Sequence, residues 1–143
     1  MYQRDYILRM LEMLTDLIAG ILGLLKKGDY QKASQSLDNA YYDYLKQDAS
    51  FFQGIPKEDL TIKLLKEHNY TNGHLEILSE LFYAQAELFN AQGNQIESLN
   101  FYEKSLVLLN FVIKESKTFS VEKQSKVSLI QNQIAKINGC ACS

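Results

Sequence analysis

The sequence predicts an all-α protein with five or six helices. Apolar residues recur at spacings of three and four along most of the chain, and no long stretch alternates with a period of two. One proline and seven glycines among 143 residues leave few helix breaks. The composition, 46% hydrophobic and 22% charged, is typical of a globular protein, and we expect a single domain over residues 1–138.

The first predicted helix, about residues 3–27, is apolar around most of its circumference. One stripe runs from Ile7 through Leu14 to Leu25, and a second set that includes Leu17 and Leu24 widens it. A helix packed on one neighbour needs an apolar arc of about 100°. We therefore expect this helix to be central in the fold or to form an interface, with Leu17 and Leu24 as candidate contacts of a homodimer.

The dipeptide Gly28-Asp29 is expected to separate the first two helices. Glycine adopts the left-handed conformation that ends a helix, and aspartate accepts hydrogen bonds from free N–H groups of the next one. The second predicted helix reaches about Lys46, and a loop follows from Asp48 to Ile55. Pro56 suits the first position of a short third helix, about residues 56–67.

Three further helices are predicted after a turn-rich segment at 69–73. The fourth covers about 74–91 and ends before Gly93-Asn94, where the fifth begins. Ser120 is expected to cap a sixth helix over about 121–137. Gly139 is expected to end that helix and to leave residues 139–143 as a flexible tail.

Two segments that are 65 residues apart share a pattern. Leu24–Tyr30 aligns with Phe89–Gln95, and each segment is followed at equal spacing by a small, a large and a small residue: Ala33, Leu37 and Ala40, then Ser98, Tyr102 and Ser105. This pattern resembles the tetratricopeptide repeat, in which small residues let two helices approach and the large one fills the groove. The resemblance implies stacked antiparallel helical hairpins, formed by helices one and two and by helices four and five.

The chain also departs from that family. Ile21 stands where the first helix of a unit carries a small residue, no closing proline follows either unit, and the third helix interrupts the tandem period of about 34 residues. Residues 1–10 resemble the start of uncharacterised bacterial helical proteins, a likeness that implies no activity.

Charge and cysteine placement exclude several classes of protein. Fifteen basic and seventeen acidic residues give a net charge of −2 without a basic run, so neither nucleic acid nor an anionic membrane is an expected partner. Arg9, Glu12 and Asp16 interrupt the longest apolar stretch, which argues against a membrane span or a signal peptide. Because the two cysteines, Cys140 and Cys142, lie together at the C-terminal end, we expect no disulfide framework and a cytoplasmic protein.

Three clusters invite a chemical interpretation, and a plain one is favoured for each. His68, His74, Glu76 and Glu80 are residue types that can ligate a metal ion, but we expect all four to be solvated residues of a loop and a helix face. The pair Cys140 and Cys142 is interpreted as an inert tail, with redox or soft-metal chemistry as the alternative. The aromatic group Tyr41, Tyr42, Tyr44, Phe51 and Phe52 is interpreted as core rather than as a base-stacking platform. We expect no cofactor, no metal and no catalytic site.

The fourth predicted helix carries a polar face away from its core stripe. Glu80, Tyr83, Glu87 and Asn90 lie there at spacings of three and four. By the repeat resemblance, such positions line a concave peptide-binding groove, and a plain solvated face is the alternative interpretation. The leading hypothesis is therefore a non-catalytic protein–protein interaction module that binds a basic or polar partner segment. The alternative is a structural protein that self-associates through its first helix, and an enzyme is a third, less favoured interpretation.

Overall fold

Two helical hairpins and a C-terminal helix make up most of the molecule. The computed structural model describes residues 2–116 and 119–142, with side chains for 6–116 and 119–139. The first hairpin consists of α1 (Tyr2–Lys26) and α2 (Tyr30–Leu45). Its turn has the predicted chemistry: Gly28 has φ +80°, and the Asp29 carboxylate accepts from the Lys32 N–H at 3.2 Å.

An irregular helical segment connects the first hairpin to the second. It comprises α3 (Ala49–Gln53), a 3₁₀ turn (Lys57–Asp59), α4 (Leu60–Ile62) and a π-helical turn (Lys63–Glu67). Phe52, Leu60 and Leu64 of this segment are fully buried, so it belongs to the core. The expected loop at 48–55 is wrong in part, because residues 49–53 form the single helical turn of α3. This turn places Phe52 in the core.

The second hairpin consists of α5 (Asn72–Ala91) and α6 (Gln95–Glu115). The Ser79 hydroxyl bonds to the Ser105 carbonyl, and the Ser98 hydroxyl bonds to the Ala86 carbonyl. From Ser79 to Ala86 the residue numbers on α5 increase, whereas the numbers of the bonded residues on α6 decrease from Ser105 to Ser98. The two helices are therefore antiparallel.

The two hairpin turns have the same geometry. Gly93 has φ +84°, close to the value at Gly28, and the Asn94 side chain accepts from the Glu97 N–H at 3.2 Å. The Asn94 N–H donates to the Phe89 carbonyl at 2.9 Å, as the Asp29 N–H donates to the Leu24 carbonyl at 3.0 Å. The aligned small and large residues after each turn are all buried: Ala33, Leu37, Ala40, Ser98, Tyr102 and Ser105.

The last helix, α7 (Val121–Cys142), packs against α6 and is longer than predicted. Ser120 caps it as expected, since its hydroxyl accepts from the Lys123 N–H at 3.2 Å. The predicted end at Gly139 is wrong, because the helix passes through that residue and continues to Cys142. The side chains of Cys140 and Cys142 and the whole of Ser143 lie outside the described residues.

The central helix is α5, and the first helix, which is expected either to be central or to form an interface, packs beside it. Helix α5 contacts α1, α2 and α6, and eleven of its side chains are buried, including the polar Ser79 and Gln85. By contrast α1 leaves Tyr6, Leu8 and Met13 exposed. The all-α expectation is confirmed for the described residues, which contain no strand, but they form seven α-helices rather than five or six. Among the described helices, none is both long and apolar enough to cross a membrane.

Candidate partner-binding groove

The four predicted groove residues on α5 lie in different environments. Asn90 is exposed and Glu87 is half-buried, as a binding face requires. Tyr83, by contrast, is only 5% exposed, and Glu80 is half-buried in an ion pair with Lys126 of α7 at 3.2 Å. The sequence interpretation placed all four on an open surface, and the structure leaves only the Glu87–Asn90 end open.

The Glu87 carboxylate is held by two tyrosine hydroxyls. Tyr83 donates to one carboxylate oxygen at 3.3 Å, and Tyr102 of α6 donates to the other. Burial raises the pKa of both tyrosine hydroxyls, and the neighbouring carboxylate raises it further, so both stay protonated donors at neutral pH. Glu87 is therefore oriented before any ligand arrives, and its remaining acceptor capacity is available to a partner.

A groove between α1 and α5 contains this carboxylate. It encloses about 330 Å³ and is lined by Leu22, Leu25 and Lys26 of α1 and by Glu87, Asn90 and Ala91 of α5. We call it the α1–α5 groove. The α1 wall presents two leucines and Lys26, and the α5 wall presents a carboxylate and an amide, a combination that suits a short peptide with one apolar and one polar contact.

A second cleft, of about 430 Å³, lies further along the same two helices and is closed on one side by α7. Lys123 of α7 pairs with Glu76 at 3.7 Å, and the Lys126 ammonium is 3.6 Å from the centre of the Tyr83 ring. Burial raises the pKa of Glu76, although Lys123 opposes that effect. Here α7 covers the part of α5 that was predicted to be open.

The covering by α7 has a sequence signal that the interpretation missed. Lys123 and Lys126 are three residues apart on one helix, and Glu76 and Glu80 are four apart on another, so each pair lies on one helix face. The opposite charges and similar spacing match these two faces to each other. The ion pairs Lys123–Glu76 and Lys126–Glu80 are the result.

The histidines serve local structure. The His74 ring nitrogen accepts from the Thr71 N–H at 3.1 Å and the His74 N–H donates to the Thr71 hydroxyl at 3.3 Å, which forms a capping box at the start of α5. The His68 ring packs edge-on against Phe51, with ring centres 4.9 Å apart. Among the described residues, no group of three or more His, Cys, Asp or Glu side chains is placed to hold a metal ion.

The aromatic group is mainly core, as predicted. Tyr41 and Phe52 are fully buried and stacked, with ring centres 5.9 Å apart, and Phe51 meets Phe52 edge-on at 5.0 Å. Tyr44 is half-buried, and Tyr42 remains exposed.

A buried polar cluster beside that core is fully bonded. The side-chain oxygen of Gln85 (Oε1) accepts from the Tyr41 hydroxyl at 3.3 Å and from the side-chain amide nitrogen of Gln53 (Nε2) at 2.8 Å. Lys104, 4% exposed, donates to the Gln53 backbone carbonyl at 3.0 Å, and burial lowers the pKa of its ammonium group. These bonds fasten α3 to α5 and α6, which is a structural role.

The two leucines predicted for a dimer interface are half-buried. Leu17 lines a third groove, between α1 and α2, whereas the backbone carbonyl of Leu24 accepts the Asp29 N–H at the hairpin turn. Among the described side chains of α1, the large apolar ones that are most exposed are instead Tyr6, Leu8 and Met13.

Comparisons with known proteins identify no relative. No protein-family model matches the chain, and neither a curated protein nor a solved structure shows significant similarity to it. The resemblance to tetratricopeptide repeats stays a prediction.

Proposed function

We propose that this chain is a non-catalytic protein–protein interaction module that binds a short basic segment of a partner in the α1–α5 groove. The observation that carries the proposal is the oriented Glu87 carboxylate opposite Leu22 and Leu25. In the proposed complex, an apolar partner side chain contacts the two leucines. A lysine or arginine of the partner bonds to Glu87, and Asn90 bonds to the partner backbone.

The charge around the groove favours a cation. Glu12, Glu76, Glu80 and Glu122 line the neighbouring cleft along α1, α5 and α7, where they outnumber the two lysines. The one cation that lines the α1–α5 groove itself is Lys26. Carboxylates along a groove attract a basic segment and raise its rate of association.

The chain's own Lys126 supports the same chemistry. Its ammonium group lies between the Glu80 carboxylate and the Tyr83 ring, at 3.2 Å and 3.6 Å. A carboxylate beside an aromatic ring on α5 thus already binds a lysine of α7, and Glu80 and Tyr83 lie about two turns and one turn from Glu87. We propose that a partner lysine or arginine binds at Glu87 in a comparable way.

The state of the carboxylates favours binding over acid–base catalysis. Glu76 and Glu80 are paired with lysines, and Glu87 accepts from two tyrosine hydroxyls. A general base needs free access to a substrate proton. Glu87 has no lysine or arginine partner among the described residues, so it is better suited to recognise a cationic group.

Selection from a random peptide library displayed on phage tests the proposal. We expect enriched peptides to carry lysine or arginine next to an apolar residue. Glu87→Gln keeps the side-chain shape but removes the charge, and it should weaken binding of the selected peptides about tenfold or more. Glu115→Gln, at an exposed position on α6, is the matched control and should bind as the wild type does.

Two results would contradict the proposal. One is a selection that enriches no basic peptide. The other is a set of selected peptides that bind the wild type, Glu87→Gln and Asn90→Ala with equal affinity, which would place the binding site outside the α1–α5 groove.

A further inference from the structure

A third groove lies between α1 and α2, the two helices of the first hairpin. It encloses about 450 Å³ and is lined by Tyr6, Arg9, Met13 and Leu17 of α1 and by Asp43 and Tyr44 of α2. We call it the α1–α2 groove. Tyr6 and Met13 are each 57% exposed, and they lie about two turns apart on one face of α1.

The position of this groove in the fold makes the exposure informative. The helices α1 and α2 both contact α5, and α7 packs on α6 and reaches α5 through Lys123 and Lys126. The exposed residues of α7 are mostly polar, although they include Val121 and Leu129. The α1–α2 groove exposes two larger side chains on one helix face, Tyr6 and Met13, together with the charged Arg9 and Asp43.

We infer that a second copy of this chain covers the α1–α2 groove, in a symmetric dimer. The groove carries one positive and one negative side chain, which favours a second copy of the same chain as its occupant. Arg9 and Asp43 both line it and both are exposed, and neither belongs to an ion pair within the described part of the chain. A two-fold axis through the groove brings Arg9 near Asp43 of the partner subunit and repeats the contact in reverse.

The apolar contacts follow from the same symmetry. Met13 and Tyr6 of one copy enter the groove of the other, beside Leu17 and Tyr44 of the partner subunit. A groove that carries both signs of charge is complementary to its own copy, whereas a patch of one sign repels it. This interface shares Leu17 with the helix-one dimer predicted from the sequence, but it includes α2 and leaves out Leu24.

Charge-reversal variants at Arg9 and Asp43 test whether these two side chains pair between copies. Arg9→Asp makes both charges of the groove acidic, and Asp43→Arg makes both basic, so each variant alone should be monomeric. Mixed one to one, the two variants should form a heterodimer, because each acidic position then meets a basic one. Both side chains are exposed, so the thermal midpoints should stay close to that of the wild type.

Sedimentation velocity at micromolar concentration distinguishes the outcomes. The inference expects a wild-type dimer of about twice 16.4 kDa, monomers for each charge variant and for Met13→Glu, and a dimer for the mixture. A monomeric wild type overturns it. A dimer that persists in all three variants, or a mixture that stays monomeric, overturns it as well. Glu115→Gln serves as the control that stays dimeric.

Discussion

Ser79 of α5 and Ser105 of α6 exchange hydrogen bonds across the second hairpin. The Ser79 hydroxyl donates to the Ser105 backbone carbonyl at 2.9 Å, and the Ser105 hydroxyl donates to the Ser79 carbonyl at 2.7 Å. Both side chains are at most 2% exposed. Such reciprocal bonds require the two backbones to lie close together, which a side chain larger than serine prevents.

Replacing Ser105 by leucine should therefore destabilise the fold. The larger side chain has no space between α5 and α6, and we expect a loss of about 1–3 kcal/mol in the free energy of unfolding. Ser125→Leu, at an exposed position of α7, is the matched control and should change the free energy by less than about 0.5 kcal/mol. Urea denaturation of both variants checks this, and equal midpoints would refute the close approach.

The glycines give a prediction of opposite signs. Gly28 has φ +80°, so Gly28→Val should cost about 1–2 kcal/mol through backbone strain, although nothing lies within 4 Å of the added Cβ. Gly20 lies inside α1 with equally open space around a Cβ. Gly20→Ala should therefore stabilise the protein by about 0.5–1 kcal/mol. Thermal midpoints that shift in the same direction for both variants would contradict this reasoning.

The turns and the stripes were predictable because their causes are local. A glycine followed by aspartate or asparagine ends one helix and starts the next by its own chemistry, and both turns formed as expected. Of the predicted stripe on α5, Leu75, Leu78, Phe82 and Ala86 are buried and Phe89 is half-buried, because period-3.6 spacing places them on one face.

What sequence reasoning missed depends on distant parts of the chain. Tyr83 lies off the core stripe of α5, and it is buried in part because Lys126 of α7 covers it from 43 positions further along the chain. Phe52 is buried from a helix of five residues, which is too short to show a period. At Gly139 the preference of glycine for helix ends did not decide the backbone, which stays helical.

His74 should make stability depend on pH. Its ring nitrogen accepts the Thr71 N–H, and protonation removes that acceptor. Burial against Tyr70, whose ring centre is 5.2 Å away, lowers the pKa of His74 below its ordinary 6.5. The unfolded chain therefore binds the proton first as the pH falls, so the free energy of unfolding decreases below about pH 6.5.

A neutral substitute isolates this effect. Glutamine at the same position still accepts a hydrogen bond in a capping box but does not titrate. The unfolding free energy of the wild type relative to that of His74→Gln, measured by urea denaturation, should fall as the pH drops from 7.5 to 5. A difference that stays constant with pH would remove His74 as the cause.

The attachment of α7 gives the last prediction. Lys126 contacts both the Glu80 carboxylate and the Tyr83 ring, and the two charged side chains are 20% and 28% exposed. Lys57 and Glu103 form a longer pair, at 3.5 Å, whose side chains are 39% and 40% exposed. Because solvent screens the second pair more strongly, the two pairs should differ in coupling energy.

Double-mutant cycles with alanine should give about 0.5–1 kcal/mol for Lys126–Glu80 and a value near zero for Lys57–Glu103. Raising the salt concentration should reduce the first value only in part, because the pair is half-buried and the ring contact remains. A coupling near zero for Lys126–Glu80 would show that this charge contact does not hold α7, which would leave its buried isoleucines, Ile130 and Ile137.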